Sequence, residues 1–346
     1  MMTKLKGCRY GTHRVLEPEG VLPQPAQVVD NTMDIYENEV LIDVQTLNID
    51  SASFTQIKNS VNGDVEKIKD RIMEIVEITG KHKNPVTGSG GMLIGTVKEI
   101  GDQFKGDLKV GDKIATLVSL SLTPIHIDQI LEVRKEIDQV DIKGQAILFQ
   151  SGIYGKLPED IPEVLALSVL DVAGAPAQTA KLVNPGDKVV VIGGGGKSGL
   201  LCLYEAKKNA GINGQVICID GFESATDRAR KLEVAHDYVT MDATNAIEVY
   251  NKILELTDGQ LADVVINVVN IQNTEMSTIM ACKDGGRAYF FSMATDFTKA
   301  ALGAEGVGKD VKLLIGNGYT KGHSEVALQV LRENQKIKKF FEETYA

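Results

Sequence analysis

The first half of the chain alternates hydrophobic and polar residues with a period of two. Residues 39–50 (EVLIDVQTLNID) have the pattern of a strand, as do residues 95–101 (GTVKEIG), and residues 111–115 (GDKIA) form a turn that opens a third strand. Between the first two strands, residues 64–85 change to the apolar spacing of a helix. Residues 1–155 are therefore predicted to form a β-rich domain with one helical insertion.

The second half alternates short apolar runs with amphipathic segments. Such alternation predicts an α/β fold with a parallel, doubly wound sheet that is covered on both faces. We assign this part to residues 156–314 and leave open whether residues 315–346 return to the first domain. The predicted strands are 188–192, 215–220, 237–240, 262–269 and 287–291, and the predicted helices are 162–182, 198–210, 223–233, 245–256, 275–281 and 324–334.

A glycine-rich turn follows the strand at 188–192, within KVVVIGGGGKSGLL. An ATP-type phosphate loop requires a glycine where this chain has Val191, so that pattern fails. A dinucleotide turn requires G-x-G-x-x-G between a strand and a helix, because the backbone must turn sharply and approach a pyrophosphate at the helix N-terminus. The predicted cofactor-binding residues of this turn are Gly194, Gly195, Gly196, Lys197, Ser198 and Gly199.

An acidic residue, Asp220, ends the next predicted strand at the spacing expected for a contact with the adenosine ribose. A carboxylate there repels a 2′-phosphate, which favours NAD over NADP. Arg228 and Arg230 lie downstream in the sequence and could bind a 2′-phosphate, so NADP remains an alternative cofactor. The alternatives are that Asp220 is only a turn residue and that the glycine turn holds no ligand.

Composition narrows the possible partners. The net charge of −10 without a long basic run argues against nucleic acid, because phosphate binding needs clustered Lys and Arg. No apolar run reaches the roughly 20 residues that span a bilayer, and the first residues lack the apolar core of a signal peptide. We therefore expect a cytoplasmic protein with no membrane partner. The four cysteines are far apart and are expected to be reduced core residues.

The order of these parts resembles the medium-chain dehydrogenase/reductase superfamily over essentially the whole chain. The resemblance is carried by GDK at 111–113, PGDKVVVIG at 185–193 and GGR at 285–287. It implies a GroES-like catalytic domain, a Rossmann domain that binds the cofactor, and an active site in the cleft between them. It also implies a homodimer, formed through a sheet edge that we assign to residues 287–291. The positions that would hold the nicotinamide ring are Val269, Asn270, Ser292 and Met293.

Three further stretches, residues 7–26, 46–57 and 84–97, are unusual for that superfamily. They resemble a zinc-independent family of amine dehydrogenases of lysine fermentation, whose substrate is L-erythro-3,5-diaminohexanoate. The resemblance implies an oxidoreductase that deaminates this small molecule oxidatively with NAD. The expected products are 5-amino-3-oxohexanoate, ammonium and the reduced cofactor.

The chain departs from the zinc-dependent members of the superfamily at their metal ligands. The Gly-His-Glu triplet of those enzymes aligns with residues 90–92, which are Gly-Gly-Met. The two cysteine positions align with residues 48–50 and with Asp171. One carboxylate does not build a tetrahedral site with three protein ligands, so we predict that no metal is bound.

The remaining candidates are polar residues near those positions. The predicted catalytic residues are Asp50, Asp171 and Ser51, and a carboxylate there would take a proton from the substrate ammonium or from water. We expect Ser51 and Ser53 to lie in a strand. Each candidate also has a structural alternative as a turn, strand or helix residue. The predicted substrate-binding residues are Arg9, Tyr10, His13, Arg14, Ser53, Thr87 and Ser89.

Two other functions stay open at this point. One is a zinc-independent quinone or enone reductase of the same superfamily that uses NADPH, which Asp220 disfavours. The other is a non-catalytic structural relative, which the intact glycine turn disfavours.

Overall fold

The structure is a computed structural model that describes residues 5–292, 294–316 and 318–345. The chain divides into two compact units, with the boundary in the sequence between Ile161 and Pro162. The assignment of residues 1–155 to catalysis and of residues 156–314 to the cofactor stays a prediction. Within the described residues, no helix is both long and apolar enough to cross a membrane.

The first unit contains a six-stranded sheet in which all neighbouring strands are antiparallel. Its elements in chain order are β1 (Val15–Glu17), β2 (Val28–Val29), β3 (Glu39–Ile49), α1 (Ser51–Ser60), α2 (Val65–Thr79), β4 (Gly91–Ile100), β5 (Lys113–Thr116), β6 (Ile125–Arg134), β7 (Gln139–Phe149) and β8 (Tyr154–Lys156). The sheet order is β6-β7-β3-β4-β5-β8, and β1 pairs with β2 in a separate ribbon. The strands predicted at 39–50 and 95–101 are confirmed as β3 and β4.

The predicted helical insertion is confirmed as α2. Asp64 caps its first turn by accepting from the N–H of Glu66, at 3.1 Å, and of Lys67. Gly80 ends the helix at a φ of +72°, a conformation that glycine adopts without a steric cost. The apolar face (Ile68, Ile72, Ile75 and Val76) is buried in the core of the unit.

Residues 51–60 form the helix α1 and not the extended segment that we expected for Ser51 and Ser53. The Phe54 N–H donates to the Asp50 carbonyl at 2.8 Å, which turns the chain into the helix. Phe54 and Ile57, three positions apart, are both buried in the same core. Burial of this short apolar face decided the conformation, although the segment has few strong helix formers.

The second unit contains a six-stranded parallel sheet in the order β11-β10-β9-β12-β13-β14. This doubly wound order reverses between β9 and β12, where ligands bind in such folds. The predicted α/β fold class is therefore confirmed. Its elements are α3 (Glu163–Leu170), α4 (Gly174–Leu182), β9 (Lys188–Ile192), α5 (Lys197–Ala210), β10 (Gln215–Asp220), α6 (Glu223–Lys231), β11 (Asp237–Thr240), α7 (Ala246–Leu256), β12 (Ala262–Asn267), α8 (Glu275–Ala281), β13 (Cys282–Phe290), α9 (Phe297–Gly306), β14 (Lys312–Ile315), α10 (His323–Glu333) and α11 (Gln335–Tyr345).

Two elements of this unit differ from the prediction. The single helix expected at 162–182 is split into α3 and α4, because Pro176 fits only the first turn of a helix. The strand at 287–291 is not a sheet edge, since β13 pairs with both β12 and β14. The edge strand on this side of the sheet is the four-residue β14, which was not predicted from the sequence, and β11 is the edge strand on the other side. The last helices, α10 and α11, pack on α3 and α4 within this unit.

Candidate functional site

The turn between β9 and α5 places its backbone against neighbouring elements. Gly193 has a φ of +84°, and the N–H groups of Gly193 and Gly194 donate to the Ile219 carbonyl at 2.9 and 3.0 Å. A Cβ at Gly199 would lie 2.1 Å from the Gly193 carbonyl oxygen, so only glycine lets α5 approach the turn this closely. Among the described residues, a Cβ at Gly196 would meet one non-neighbouring atom within 4 Å, the Gly193 carbonyl oxygen at 3.5 Å, so this side of the turn is open to that extent.

The helix that follows begins at Lys197, with Gly196 as an N-cap that has no capping side chain. The N–H groups of the first turn have no partner within a helix, and the helix dipole makes this end positive. The Gly196 N–H donates to the Gly193 carbonyl at 3.2 Å and so belongs to the turn itself. The backbone N–H groups of Lys197 and Ser198, in the first turn of α5, are the ones arranged to receive an anion on the open side of the turn. A helix N-terminus of this kind can hold the pyrophosphate of a dinucleotide, and that role, inferred from the glycine spacing, stays a prediction.

Asp220 lies at the end of β10, directly beside the turn. Its Oδ2 accepts a hydrogen bond from the Gly195 N–H at 3.0 Å, and its Oδ1 accepts from the Phe222 N–H at 3.4 Å. The carboxylate therefore has one edge on the glycine turn. Since it is only half-buried, it also has accessible surface for a ribose hydroxyl.

Arg228 and Arg230, the two arginines considered for the 2′-phosphate of NADP, both interact with other groups of the protein. Arg228 donates from Nη1 to the Gly195 carbonyl at 2.7 Å. Arg230 forms an ion pair with Asp227 and lies over the Tyr238 ring, 5.4 Å from its centroid. Arg228 thus holds the turn itself, and Arg230 is engaged on α6.

Lys197 and Asp171 form an ion pair within the second unit. The Lys197 Nζ donates to the Asp171 Oδ2 at 2.7 Å, and Asp171 is the C-terminal cap of α3. The structure thus brings together a predicted cofactor-binding residue and a predicted catalytic residue. The pair links the start of α5 to the end of α3.

The carboxyl end of β12 lies next to the glycine turn in the sheet, and the end of β13 lies one strand further away. A Cβ at Gly193 would lie 2.8 Å from the Val269 N, so the segment after β12 packs directly against the turn at Gly193. The Asn270 Oδ1 accepts from the Ser292 hydroxyl at 3.3 Å, which joins the two strand ends. The buried Asn267 accepts from the Val269 N–H at 3.2 Å and fixes its position. Met293 lies outside the described residues.

Polar side chains form a cluster in the first unit at the start of α1, which we call the hydroxyl cluster (Asp50, Ser53, Thr87 and Ser89). The Asp50 Oδ1 accepts from the Ser89 hydroxyl at 3.2 Å, and the Ser89 and Thr87 hydroxyls lie 2.9 Å apart. The Thr87 and Ser53 hydroxyls are 3.1 Å apart. Asp50 and Thr87 are exposed, while Ser53 is fully buried beneath them. Four predicted site residues are therefore brought together. Ser51 begins α1, and its side chain lies outside the described part of the chain.

Asn84 holds this cluster in place, a role that was not predicted from the sequence. The fully buried Asn84 amide donates to the Ser53 carbonyl at 3.2 Å and to the Gln56 side chain at 2.9 Å. Its Oδ1 accepts from the N–H groups of Val86, at 2.8 Å, and Thr87. The side chain therefore fastens the loop at 84–90 to α1. An Asn-Pro pair was the only signal in the sequence, and it indicates a turn without indicating the contact with α1.

Arg14 is fully buried, and its guanidinium donates hydrogen bonds to a carboxylate and to backbone carbonyls. Its Nε and Nη2 donate to the two carboxylate oxygens of Glu39 at 2.8 and 2.7 Å. Its Nη1 and Nη2 also donate to the carbonyls of Thr32 and Asp34, each at 2.8 Å. Burial alone would raise the pKa of the Glu39 carboxyl, but hydrogen bonds from His13 and Arg14 outweigh it and lower that pKa. This geometry argues against a contact between Arg14 and substrate.

The other N-terminal candidates separate into two groups. The His13 Nδ1 accepts from the Cys8 N–H at 2.9 Å, so its Nε2 carries the hydrogen that is donated to Glu39 at 2.8 Å. His13 therefore belongs to the same buried network as Arg14. Arg9 and Tyr10 are exposed, and the Arg9 guanidinium lies 5.0 Å from the centroid of the Tyr10 ring.

Two buried basic residues lie just before the loop at 84–90. Burial lowers the pKa of Lys81 to about 8, and its ammonium donates to the Pro23 and Ala26 carbonyls at 2.5 and 2.7 Å. Burial also lowers the pKa of His82 to about 4, and neither ring nitrogen has a hydrogen-bond partner within the described residues. Lys81 thus anchors the N-terminal segment, and His82 is a neutral core residue.

The donor set near the hydroxyl cluster does not fit zinc. Asp50 is accompanied there by hydroxyl groups, and the aligned histidine position is occupied by Gly91. Across the described ranges, no group of three or more His, Cys, Asp or Glu side chains is placed to hold a metal ion. Three cysteines (Cys202, Cys218 and Cys282) are buried, and burial raises their pKa values to about 12. We derive no chemical step through a metal.

The fold is similar to that of several solved structures, among them an alcohol dehydrogenase and a protein complexed with NADPH. An alcohol dehydrogenase from Thermotoga maritima aligns with a TM-score of 0.53 and 16% identity, over 91% of this chain and 89% of that chain. A mycobacterial protein complexed with NADPH aligns with a TM-score of 0.52 and 16% identity, over 95% of this chain and 88% of that chain. At these identities the similarity shows the fold alone.

Family models and curated relatives are more specific. A model described as the L-erythro-3,5-diaminohexanoate dehydrogenase N-terminal domain matches residues 13–158, and one described as zinc-binding dehydrogenase matches residues 199–307. The L-erythro-3,5-diaminohexanoate dehydrogenase of Acetoanaerobium sticklandii is 57% identical over 343 residues, 99% of this chain and 100% of that protein. The protein of the same name from Fusobacterium nucleatum is 58% identical over 342 residues, 98% of this chain and 99% of that protein. The chain therefore belongs to the family of L-erythro-3,5-diaminohexanoate dehydrogenases.

Proposed function

We propose that this protein oxidatively deaminates L-erythro-3,5-diaminohexanoate with NAD and yields 5-amino-3-oxohexanoate and ammonium in lysine degradation. The observation that carries the proposal is the identity of 57% and 58% to relatives of that name over nearly the whole chain. The open glycine turn beside Asp220 supports the use of a nicotinamide dinucleotide. No observation favours a quinone reductase or a non-catalytic protein.

Asp50 is the proposed general base. The substrate amine enters as an ammonium, which must lose a proton before it is oxidised, and an exposed carboxylate is a suitable acceptor. The hydroxyls of Ser89 and Thr87 lie next to this carboxylate and orient the nitrogen and the water that replaces it. The nicotinamide ring, when bound, takes up the hydride from the carbon that bears the amine.

Asp171 is proposed to act through Lys197 and not as the base. The Asp171 carboxylate is engaged with the Lys197 ammonium at 2.7 Å. The pair holds Lys197 at the start of α5, near the N–H groups proposed for the pyrophosphate. Its role is thus to position the cofactor turn.

NAD is the proposed cofactor, in preference to NADP. The Asp220 carboxylate would repel a 2′-phosphate. Arg228 is engaged by the Gly195 carbonyl and Arg230 by Asp227, so neither guanidinium is arranged for that phosphate. The proposed nicotinamide contacts remain Val269, Asn270 and Ser292.

Of the two N-terminal arginines, Arg9 is the one that we propose as the partner of the substrate carboxylate. Arg9 is exposed and lies over Tyr10, whereas Arg14 is buried on Glu39. A guanidinium binds a carboxylate through two parallel hydrogen bonds. We therefore keep Arg9 and Tyr10 as proposed substrate contacts and drop Arg14 and His13.

A homodimer through β14 is also proposed. Within the described residues β14 pairs on one side only, with β13, and its last residue, Ile315, is 58% exposed. An edge strand presents unpaired backbone groups to another strand. Light scattering on the wild type and on Val311→Pro, which removes a backbone donor beside the edge, tests this; a wild-type monomer rejects it.

The function is tested by adding the diamine and NAD to purified protein and following NADH at mildly alkaline pH. Steady formation of NADH and of ammonium in equal amounts is expected, and NADP should support a slower rate. The same assay with alcohols and with enones plus NADPH is the control for the alternative reactions. Activity with an enone and none with the diamine would overturn the proposal. Activity should survive a metal chelator.

A further inference from the structure

The C-terminal helix α11 lies against the basic residues that flank the glycine turn. The Arg228 guanidinium lies over the Phe340 ring, 5.4 Å from its centroid. The Lys197 ammonium lies 5.6 Å from the centroid of the Tyr345 ring. Both distances are within the range in which a cation is attracted to an aromatic face. One helix thus contacts a cation on each side of the turn.

Arg228 transmits this contact to the turn. Its Nη1 donates to the Gly195 carbonyl, while Asp220 accepts from the N–H of the same residue. Both backbone polar groups of Gly195 are therefore held by charged side chains. A glycine has wide conformational freedom, so the direction of its peptide groups depends on these two hydrogen bonds.

Helix α11 is itself firmly anchored. Ile337 and Phe341 are fully buried, and Lys336 forms an ion pair with Glu233 at the end of α6. Phe340 is only half-buried, beside a shallow depression that is also lined by Ser224, Lys231 and Leu232. The burial of Ile337 and the Lys336 ion pair hold the helix without the Phe340 ring. That ring also lies edge-on to the Phe341 and Tyr345 rings, 6.0 Å between centroids in each case, so its effect on Arg228 has to be separated from these ring contacts.

We propose that Phe340 is a positioning residue for the cofactor, because its ring holds the Arg228 guanidinium against the Gly195 carbonyl and so fixes the turn that receives the dinucleotide. This proposal rests on the proposed use of NAD. It assigns to the C-terminal helix a contribution to cofactor affinity, without a contact between that helix and the cofactor.

The test measures NADH binding by calorimetry in the full-length protein. Phe340→Leu keeps an apolar side chain and removes the aromatic face, whereas Phe340→Tyr keeps the face. We expect Phe340→Leu to raise the Kd for NADH by about two- to fivefold and Phe340→Tyr to keep it within a factor of about two. With saturating NAD, the kcat and the KM for the amine should be those of the wild type in both variants.

A double-mutant cycle separates this role from general packing. Arg228→Gln should also weaken NADH binding, and adding Phe340→Leu to it should cause no further loss, because both act through one contact. Arg230→Gln is the matched control, since Arg230 lies on the same helix over a different ring, that of Tyr238. It should leave the Kd unchanged.

The outcomes distinguish this inference from the proposed function. If the wild type does not bind NADH, the proposed cofactor is wrong. If the wild type binds it and Phe340→Leu binds it equally tightly, the proposed role of Phe340 is wrong while the function stands. The proposed role would also be overturned if Phe340→Leu weakened NADH binding by the same factor in the wild type and in Arg228→Gln. If Phe340→Leu does not fold, Phe340→Met takes its place with the same expectation.

Discussion

The carboxylate of Asp220 accepts a hydrogen bond from the Gly195 N–H at 3.0 Å. The strand-end acid and the glycine turn are therefore one structural unit, although 25 positions separate them in the sequence. The contact orients the turn and, at the same time, fixes the carboxylate that we propose as the partner of the ribose. Substitutions of Asp220 should thus change both the affinity for the cofactor and the choice between cofactors.

We predict that Asp220→Ala raises the Kd for NAD about tenfold or more, because a hydrogen bond to a charged group and the ribose contact are both lost. Asp220→Asn retains an acceptor for the Gly195 N–H but removes the charge. It should therefore bind NAD only moderately less well and discriminate less strongly against NADP. Calorimetric titration with both cofactors checks this. An unchanged Kd for NAD in Asp220→Ala would remove Asp220 from the cofactor site.

We predict that Asp50→Asn lowers kcat about a hundredfold or more while the fold is retained. The amide still accepts from the Ser89 hydroxyl but does not take up a proton, and general-base catalysis contributes on this scale. The measurement is the steady-state rate of NADH formation at saturating diamine.

Asp171→Asn is the matched control for Asp50→Asn. Because Asp171 is paired with Lys197, we expect this change to alter the KM for NAD more than kcat. A wild-type kcat in Asp50→Asn together with a large loss in Asp171→Asn would reverse the two assignments.

We predict that Arg14→Met destabilises the protein by about 3–5 kcal/mol, because it leaves the buried Glu39 carboxylate without its cation. Arg9→Met, on the surface, should change the free energy of unfolding by less than about 0.5 kcal/mol. Urea unfolding followed by circular dichroism measures both.

The KM for the diamine tests which of Arg9 and Arg14 binds the substrate. It should rise in Arg9→Met and stay at the wild-type value in Arg14→Met, measured where that variant is folded. The opposite result would show that the buried arginine binds substrate.

We predict an acid-dependent loss of stability that comes from His82. Burial lowers the pKa of His82 from 6.5 to about 4, so between these values the unfolded chain binds a proton that the folded chain excludes. The free energy of unfolding should therefore be unaffected by this group above pH 6.5 and fall by about 3 kcal/mol as the pH drops to about 4.

Variants of two histidines isolate this contribution. In His82→Leu, the free energy of unfolding should fall less steeply with decreasing pH than in the wild type. Urea unfolding across that pH range measures this dependence. His126→Leu, which changes an exposed histidine, should retain the wild-type slope. Identical slopes in the two variants would show that His82 does not cause the loss.

Much of the fold follows from local patterns. The continuous apolar run of β9 and the glycine spacing after it predict a buried parallel strand and a dinucleotide turn, and the structure confirms the strand and the fold. The helix α1 was missed because its burial depends on a core that other segments build. The edge strand β14 was missed because an edge strand is short and only partly buried, and so carries a weak pattern.

The site could be predicted only in part. The resemblance to the zinc-dependent enzymes indicated Asp50, Thr87 and Ser89, which lie at or near the positions of the metal ligands in those enzymes. The structure brings these three residues together with Ser53 within hydrogen-bond distance. The role of Asn84 depends on contacts with α1 that no local pattern encodes. Arg14 was assigned to substrate because its charge is visible in the sequence, whereas the presence of Glu39 beside it is not.

The sequence by itself determined the alternation of strands and helices, the glycine turn and its acid, and the family of the chain. The alternation, the turn and its acid depend on spacing along the chain, which is a local property, and the family follows from the resemblance of residues 7–26, 46–57 and 84–97. Only the tertiary structure decided which charged side chains are already paired, as Arg14 is with Glu39 and Lys197 with Asp171. An ion pair requires two groups within a few ångströms, and residues that are distant in the sequence reach that separation only when the chain is folded.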